Sequence, residues 1–166
     1  MKKKINWLVY LGIATLVFTL AAFLFPIGPG LTRTLSGGTI EWFRGYDYVF
    51  GNNANHIISH GAFIAAFSLL IIAAVFELLA FVFSIPNPEG SHKFSGFMYI
   101  VSGICSITTG VIFLLAPYIL VPLIQAAAPN ATYALAYGFI IGGGAAALGG
   151  VVALVNGFMA MLKKAK

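Results

Sequence analysis

The chain has 166 residues, of which 60% are hydrophobic and only 8% charged. A soluble domain of this size is roughly a quarter charged, so this composition excludes a water-exposed globule and describes an integral membrane protein forming one transmembrane domain over 1–166. The formal net charge of +5 does not point to nucleic acid, because the basic residues flank the apolar runs: Lys2, Lys3 and Lys4 precede the first, and Lys163, Lys164 and Lys166 follow the last. The positive-inside rule produces such flanks. They can also meet anionic headgroups, at about 1 kcal/mol per charge. The lipid bilayer is therefore a partner and nucleic acid is not. The single cysteine, Cys105, excludes an intramolecular disulfide and a multi-cysteine metal site.

The first span is expected at 5–25 and ends at Pro26. Its basic start and apolar run imitate a signal peptide, but the run is nearly of span length and no small-x-small site follows. An uncleaved helix is expected. The segment 27–55 is the one long polar stretch. It carries Arg33, Glu41, Arg44 and Asp47 together with Trp42, Phe43, Tyr46, Tyr48 and Phe50. That aromatic density argues against a floppy linker. Residues 39–43 and 46–50 read as two short strands turning at Arg44-Gly45, or as an interfacial element with its rings at headgroup level.

The second span is expected at 57–83, followed by a turn at 84–93 with two prolines and a glycine. The third runs from 94 to 123. Thirty residues of helix would be roughly 45 Å long, more than the hydrocarbon core needs. Pro117 and Pro122 predict a bend in its distal part. A short link at 125–131 leads to the fourth span, 133–162. Four spans put both termini on one side, and the lysines put that side in the cytoplasm of a cell membrane. The loops 27–55 and 125–131 are then external. The fold class is an all-α integral membrane protein: a four-transmembrane-helix antiparallel bundle with a small external β-hairpin or sheet in the first loop.

The fourth span is rich in glycine and alanine. At about 100° per residue, Gly138, Gly142, Ala145, Ala146, Gly149, Ala153, Asn156 and Ala160 share one side. Ile140, Ile141, Leu148, Val151, Val152 and Val155 share the other. In the third span Gly96, Gly103 and Gly110 lie seven apart, beside Tyr99, Ser102 and Ser106. Small residues at such spacing let helix backbones approach closely in lipid. The stripe on the third span is the expected partner of the small face of the fourth, within the monomer. Asn156 is expected to hydrogen-bond across the bundle.

Glu77 is the one ionisable residue deep within a span. An intramembrane carboxylate costs several kcal/mol unless neutralised or hydrated, which makes it a functional candidate as a proton or cation site. The competing reading is a protonated acid hydrogen-bonded to Ser or Tyr of a neighbouring helix. His56 and His60 stand one turn apart and form a weak metal candidate, with Asp47 or Glu41 as an oxygen donor. Histidines bonding the loop are the competing reading. No nucleophile elbow, phosphate loop or zinc-protease motif is present, so no enzyme activity and no cofactor is expected.

The layout resembles that of claudin-type tetraspan proteins. The resemblance rests on Trp42-Phe43-Arg44-Gly45 in a long first loop, on the long proline-bent third span, and on Ala134-Leu135-Ala136-Tyr137-Gly138-Phe139 followed by Gly149-Gly150. It implies a left-handed four-helix bundle capped by a small external sheet, acting by assembly or as an auxiliary subunit. The chain lacks that family's first-loop cysteine pair and its glycine-leucine-tryptophan core, so no family residue role is carried over. The expected function is a non-enzymatic structural, accessory or assembly role. In it Trp42, Phe43, Arg44, Tyr46, Asp47 and Tyr48 contact another copy or another membrane protein. The alternative is a small transporter or channel subunit using Glu77.

Overall fold

The computed structural model describes residues 7–53, 57–85, 92–124 and 130–163. Four helices in it are long and apolar enough to cross a membrane. These are α1 (Trp7–Leu24), α3 (Gly61–Ser84), α4 (Lys93–Leu114) and α6 (Tyr137–Leu162), joined by the short helices α2 (Asp47–Phe50) and α5 (Ala116–Ile124). With no water to satisfy backbone groups in hydrocarbon, apolar segments of this length are driven into helix even where glycine is frequent. The four long helices form a ring in which α4 neighbours α3 and α6, and α1 closes the circuit between them.

On α1 and α3 burial recurs at alternating spacings of three and four. On α3 the buried positions are Phe63, Ala66, Leu70, Ala73, Glu77, Ala80 and Ser84. On α1 they are Leu8, Gly12, Thr15, Thr19 and Ala22. Apart from Leu8, Phe63 and Leu70, these inward residues are small or polar, whereas the outward ones are large and apolar, such as Ile13, Val17 and Leu20 on α1 and Ile71, Val75 and Leu78 on α3. That distribution suits lipid, where the hydrophobic effect does not favour burying Leu or Ile in the interior.

The seam between α4 and α6 is backbone on backbone. A Cβ placed on Gly96, Gly103 or Gly110 would lie 2.7 Å from the carbonyl oxygen of Gly157, Gly150 or Gly143 respectively. In the reverse direction the same carbonyls on α4 block Gly157 and Gly150 at 2.7 Å and Gly143 at 3.1 Å. The three glycine pairs therefore run in antiparallel register along both helices. This corrects the expected pairing. All residues of the small face 138–160 named above are buried, but its glycines look elsewhere. Gly149 abuts Phe18, Gly142 abuts Pro26 and Ala22, and Gly138 abuts the carbonyls of Pro29 and Phe25. The helix α6 has two glycine faces, one for α4 and one for α1 with the segment that follows it.

A three-stranded antiparallel sheet, order β2-β1-β3, caps the end of the bundle where α1 finishes. Its strands are β1 (Pro29–Thr34), β2 (Ile40–Arg44) and β3 (Thr132–Leu135). In the hairpin Leu31 faces Phe43, Arg33 faces Glu41 and Thr34 faces Ile40, while Leu31 faces Leu135 and Arg33 faces Tyr133 on the other side. Two expectations change here. Residues 46–50 do not form a strand. The Asp47 carboxylate accepts from the Arg44 backbone N–H at 3.1 Å and from Asn52 Nδ2 at 3.0 Å, and this local bonding favours a turn over a ladder. The hairpin partner of β2 is instead β1, a segment whose Pro29-Gly30 start reads as a turn. Second, residues 132–135 are a strand rather than the first turn of a span, because β1 offers them a free edge; α6 begins at Tyr137.

The third span breaks at Leu115, and α5 carries on past it. The break precedes Pro117, whose ring would meet the carbonyl four residues back. Beneath the sheet, Phe63, Phe113 and Phe139 stack with centroids 5.2–6.4 Å apart. Tyr48 joins them from α2 at 6.0 Å from Phe63.

Candidate functional site

The polar residues of the interior converge on Glu77. Its side chain is fully buried. Both carboxylate oxygens are engaged: Thr19 Oγ1 of α1 donates to Oε2 at 2.7 Å, and Ser102 Oγ of α4 donates to Oε1 at 2.8 Å. One carboxyl group thus ties three helices together. The threonine and serine bring hydroxyls that can also bond their own helix, so they lie in a span without breaking it.

Ser102 belongs to a longer feature. Ser95, Tyr99, Ser102, Ser106 and Thr109 occupy successive inward positions of α4, and all are buried. At 1.5 Å per residue this row of hydroxyls is about 21 Å long. At its foot the Ser84 and Ser95 hydroxyls lie 2.6 Å apart and 2.7 and 2.8 Å from the Ala80 carbonyl oxygen, so their two protons are shared among three contacts, one serine donating to the carbonyl while the other can donate to its neighbour. At its head Thr109 bonds the Ala66 carbonyl across the α3–α4 seam at 2.9 Å. Between them, the Tyr99 hydroxyl fits against Gly12 of α1, where any Cβ would clash with it. It lies beside Asn156 and Ser84. Asn156 of α6 donates through Nδ2 to the Leu8 carbonyl at 3.2 Å.

Three buried oxygens in this column make no hydrogen bond of good geometry among the described residues: Ser106 Oγ, Asn156 Oδ1, and Tyr99 Oη, which only lies near Asn156 and Ser84. An orphaned buried polar group costs about 1–3 kcal/mol. Their grouping along one face of the interior marks it as a polar seam that lacks full internal satisfaction.

The sheet end is a different kind of surface. Arg33 and Glu41 form an ion pair, with Nε to Oε2 at 2.6 Å, and the guanidinium lies 5.1 Å over the Phe43 ring. This pair stiffens the hairpin across its hydrogen-bonded register. Ile40 and Trp42 project from the same face of the edge strand β2 and are 53% and 58% exposed; Phe50, on α2, is 67% exposed. The other aromatic candidates turn inward. Phe43 is half-buried, Tyr48 is buried, and the Tyr46 hydroxyl donates to the Phe23 carbonyl. Burial pushes both phenols above the ordinary tyrosine value, and the Asp47 charge adds to the effect at Tyr48. The Arg44 side chain is exposed, and Asp47 acts on the loop as described.

His56 lies outside the described residues, so the His56–His60 pair is not placed. His60 Nδ1 accepts from the Ala62 N–H at 3.3 Å and caps α3. Among the described residues no three His, Cys, Asp or Glu side chains group to hold a metal ion.

In the sequence Glu77 stood out by charge alone. Thr19 did not, because a threonine in an apolar run is unremarkable until the facing helix is known. The hydroxyl row was legible in part, through Tyr99, Ser102 and Ser106; extending the three-four spacing in both directions reaches Ser95 and Thr109.

With four membrane-length helices around a polar seam, the chain is a multi-pass membrane protein. No family model matches it, and no curated protein matches it.

Proposed function

We propose that this protein is a non-enzymatic membrane scaffold that assembles through its sheet end, either with a second copy or with another membrane protein. The observation that carries the reading is the pair Ile40 and Trp42, apolar, exposed and adjacent on the open edge strand of a sheet braced by the Arg33–Glu41 ion pair. Large exposed apolar side chains on a rigid support are what interfaces use as anchors, and an unpaired strand edge invites a partner strand. Within this reading the termini are cytoplasmic, the sheet faces outward from the plasma membrane, and the lysines at the chain ends meet the inner leaflet. The resemblance to claudin-type proteins belongs to the same proposal at the level of layout.

The test is crosslinking and pull-down of the full chain from membranes, with Ile40→Ser/Trp42→Ala as the variant. Loss of captured partner with unchanged membrane insertion supports the reading. Unchanged capture overturns it.

A further inference from the structure

We propose that the hydroxyl row of α4 is a hydrated proton path leading to Glu77 from the terminal end of the bundle only, so that Glu77 is a proton-exchanging site with one-sided access. The proposal stands independently of assembly at the sheet.

Among the described residues the core holds no cation to meet the charge on an ionised Glu77. The titratable groups on the elements packed around it are few. Tyr10 on α1 faces outward, Tyr137 stands exposed at the far start of α6, and α3 contributes none besides Glu77. On α4, Tyr99 is buried in the row, Cys105 is half-buried beside it, and Lys93 is exposed at the helix start. His92 is buried at the foot, next to Lys93. A proton is the species that balances this carboxylate in hydrocarbon, and buried acids in spans mark proton relays.

A relay needs groups that both donate and accept. Every residue of the row, Ser95, Tyr99, Ser102, Ser106 and Thr109, is a hydroxyl, which does both. Ser102 already touches the carboxyl, and Ser84 and Ser95 touch each other. The link between foot and carboxyl is the region of Tyr99 and Asn156, where the buried Tyr99 Oη lies between Ser84 and Asn156 without a hydrogen bond of good geometry, as does Asn156 Oδ1 beside it. A buried water makes about three hydrogen bonds to such groups, and water bridging there connects Ser84 and Ser95 through Tyr99 to Glu77. The proton enters from the terminal side and reaches the buried Ser84 or Ser95 hydroxyl first. Each hydroxyl passes its own proton onward, and the last is taken by a Glu77 carboxylate oxygen to give a neutral acid; release reverses the steps.

The sidedness follows from the head of the row. There Thr109 is bonded to the Ala66 carbonyl, and above it Phe63, Phe113, Phe139 and Tyr48 fill the interior. The three phenylalanine rings offer neither donors nor acceptors to continue the path.

The test is infrared difference spectroscopy of the full chain in lipid nanodiscs during a pH change. A carboxylic C=O band that titrates in the wild type and vanishes in Glu77→Gln is expected. Its exchange in heavy water should slow by about tenfold or more in Tyr99→Phe, which removes one relay hydroxyl. If Glu77→Gln fails to fold, Ser102→Ala serves instead, by shifting the frequency of the same band. In vesicles of uniform orientation, acid on the terminal side should titrate the band and acid on the sheet side should not. Absence of a titrating band assignable to Glu77 overturns the proposal, as does unchanged exchange in Tyr99→Phe. Equal titration from both sides overturns the one-sided access.

Discussion

The two seams that hold α4 in place are built on opposite principles. Against α6 it presents glycine to glycine, so that backbone carbonyls lie where a Cβ would stand. Against α3 and α1 it presents hydroxyls, which reach the Glu77 carboxyl and the Ala66 and Ala80 carbonyls. The first seam is a matter of shape, and its attraction is dispersion summed over close backbones. The second is a matter of chemistry, and its attraction is a few hydrogen bonds in a medium without competing water. A shape seam tolerates no added atom. A chemical seam tolerates substitution wherever the replacement keeps a donor or acceptor in place.

The sharpest way to break this contrast is a leucine in the glycine seam. Gly103→Leu has no room beside the Gly150 carbonyl and Leu154, and overpacking of this kind costs about 3 kcal/mol or more where neither backbone can withdraw. Thermal unfolding in detergent should show a large loss of stability or no folded protein. Gly144→Leu is the control, since a Cβ there meets nothing; it should unfold close to the wild type. If the two variants behave alike, the register of the seam is wrong.

Next in size is the carboxyl. Glu77→Ala leaves the Thr19 and Ser102 hydroxyls without their acceptor and opens a gap, so a loss of about 2–4 kcal/mol is expected. Glu77→Gln keeps an acceptor and adds a donor in nearly the same volume, and should lose under about 1 kcal/mol. Equal losses for the two would make the site a packing position like those of the other seam. Smaller again is Gly12→Ala, which displaces the Tyr99 hydroxyl. That side chain end can swing, so roughly 1–2 kcal/mol is expected in the same unfolding measurement. Tyr99→Phe should recover part of this loss when combined with Gly12→Ala, because the clashing atom is gone.

How much of this was open to a reader of the sequence follows from what is local. The spans are local: a bilayer forces helix on an apolar run of sufficient length, whatever its glycines prefer. The glycine stripe 96, 103, 110 is local too, since its spacing lies on one helix. Which face of α6 it meets is not, because α6 carries Gly138, Gly142 and Gly149 on one side and Gly143, Gly150 and Gly157 on another. Only the positions of α1 and α4 in the bundle assign them. The strand at 132–135 was hidden for a related reason. Its composition continues that of the following span, and only the distant edge of β1 makes it a strand. At Glu77 the charge was visible and its partners were not, for they arrive from 58 residues before and 25 residues after.

The smallest stability effect is expected at the sheet end, and it extends the comparison to a third region, where the residues face outward. Trp42 is 58% exposed on an edge strand, and its cross-strand neighbour is Thr32. Trp42→Ala removes little internal packing, so unfolding should change by no more than about 0.5 kcal/mol, as for surface sites elsewhere. The hairpin keeps its Arg33–Glu41 pair and its register with β1. What the variant removes is an exposed ring able to fill a pocket on a partner, and such rings dominate association energies. A variant as stable as the wild type that no longer crosslinks in membranes would separate the two roles cleanly: interior seams for folding, sheet edge for assembly. A loss of about 2 kcal/mol or more in Trp42→Ala would instead make the ring part of the bundle's cap. The search for an assembly surface would then move to the lipid-facing Ile140, Leu148 and Val151 on α6, which the interior leaves exposed.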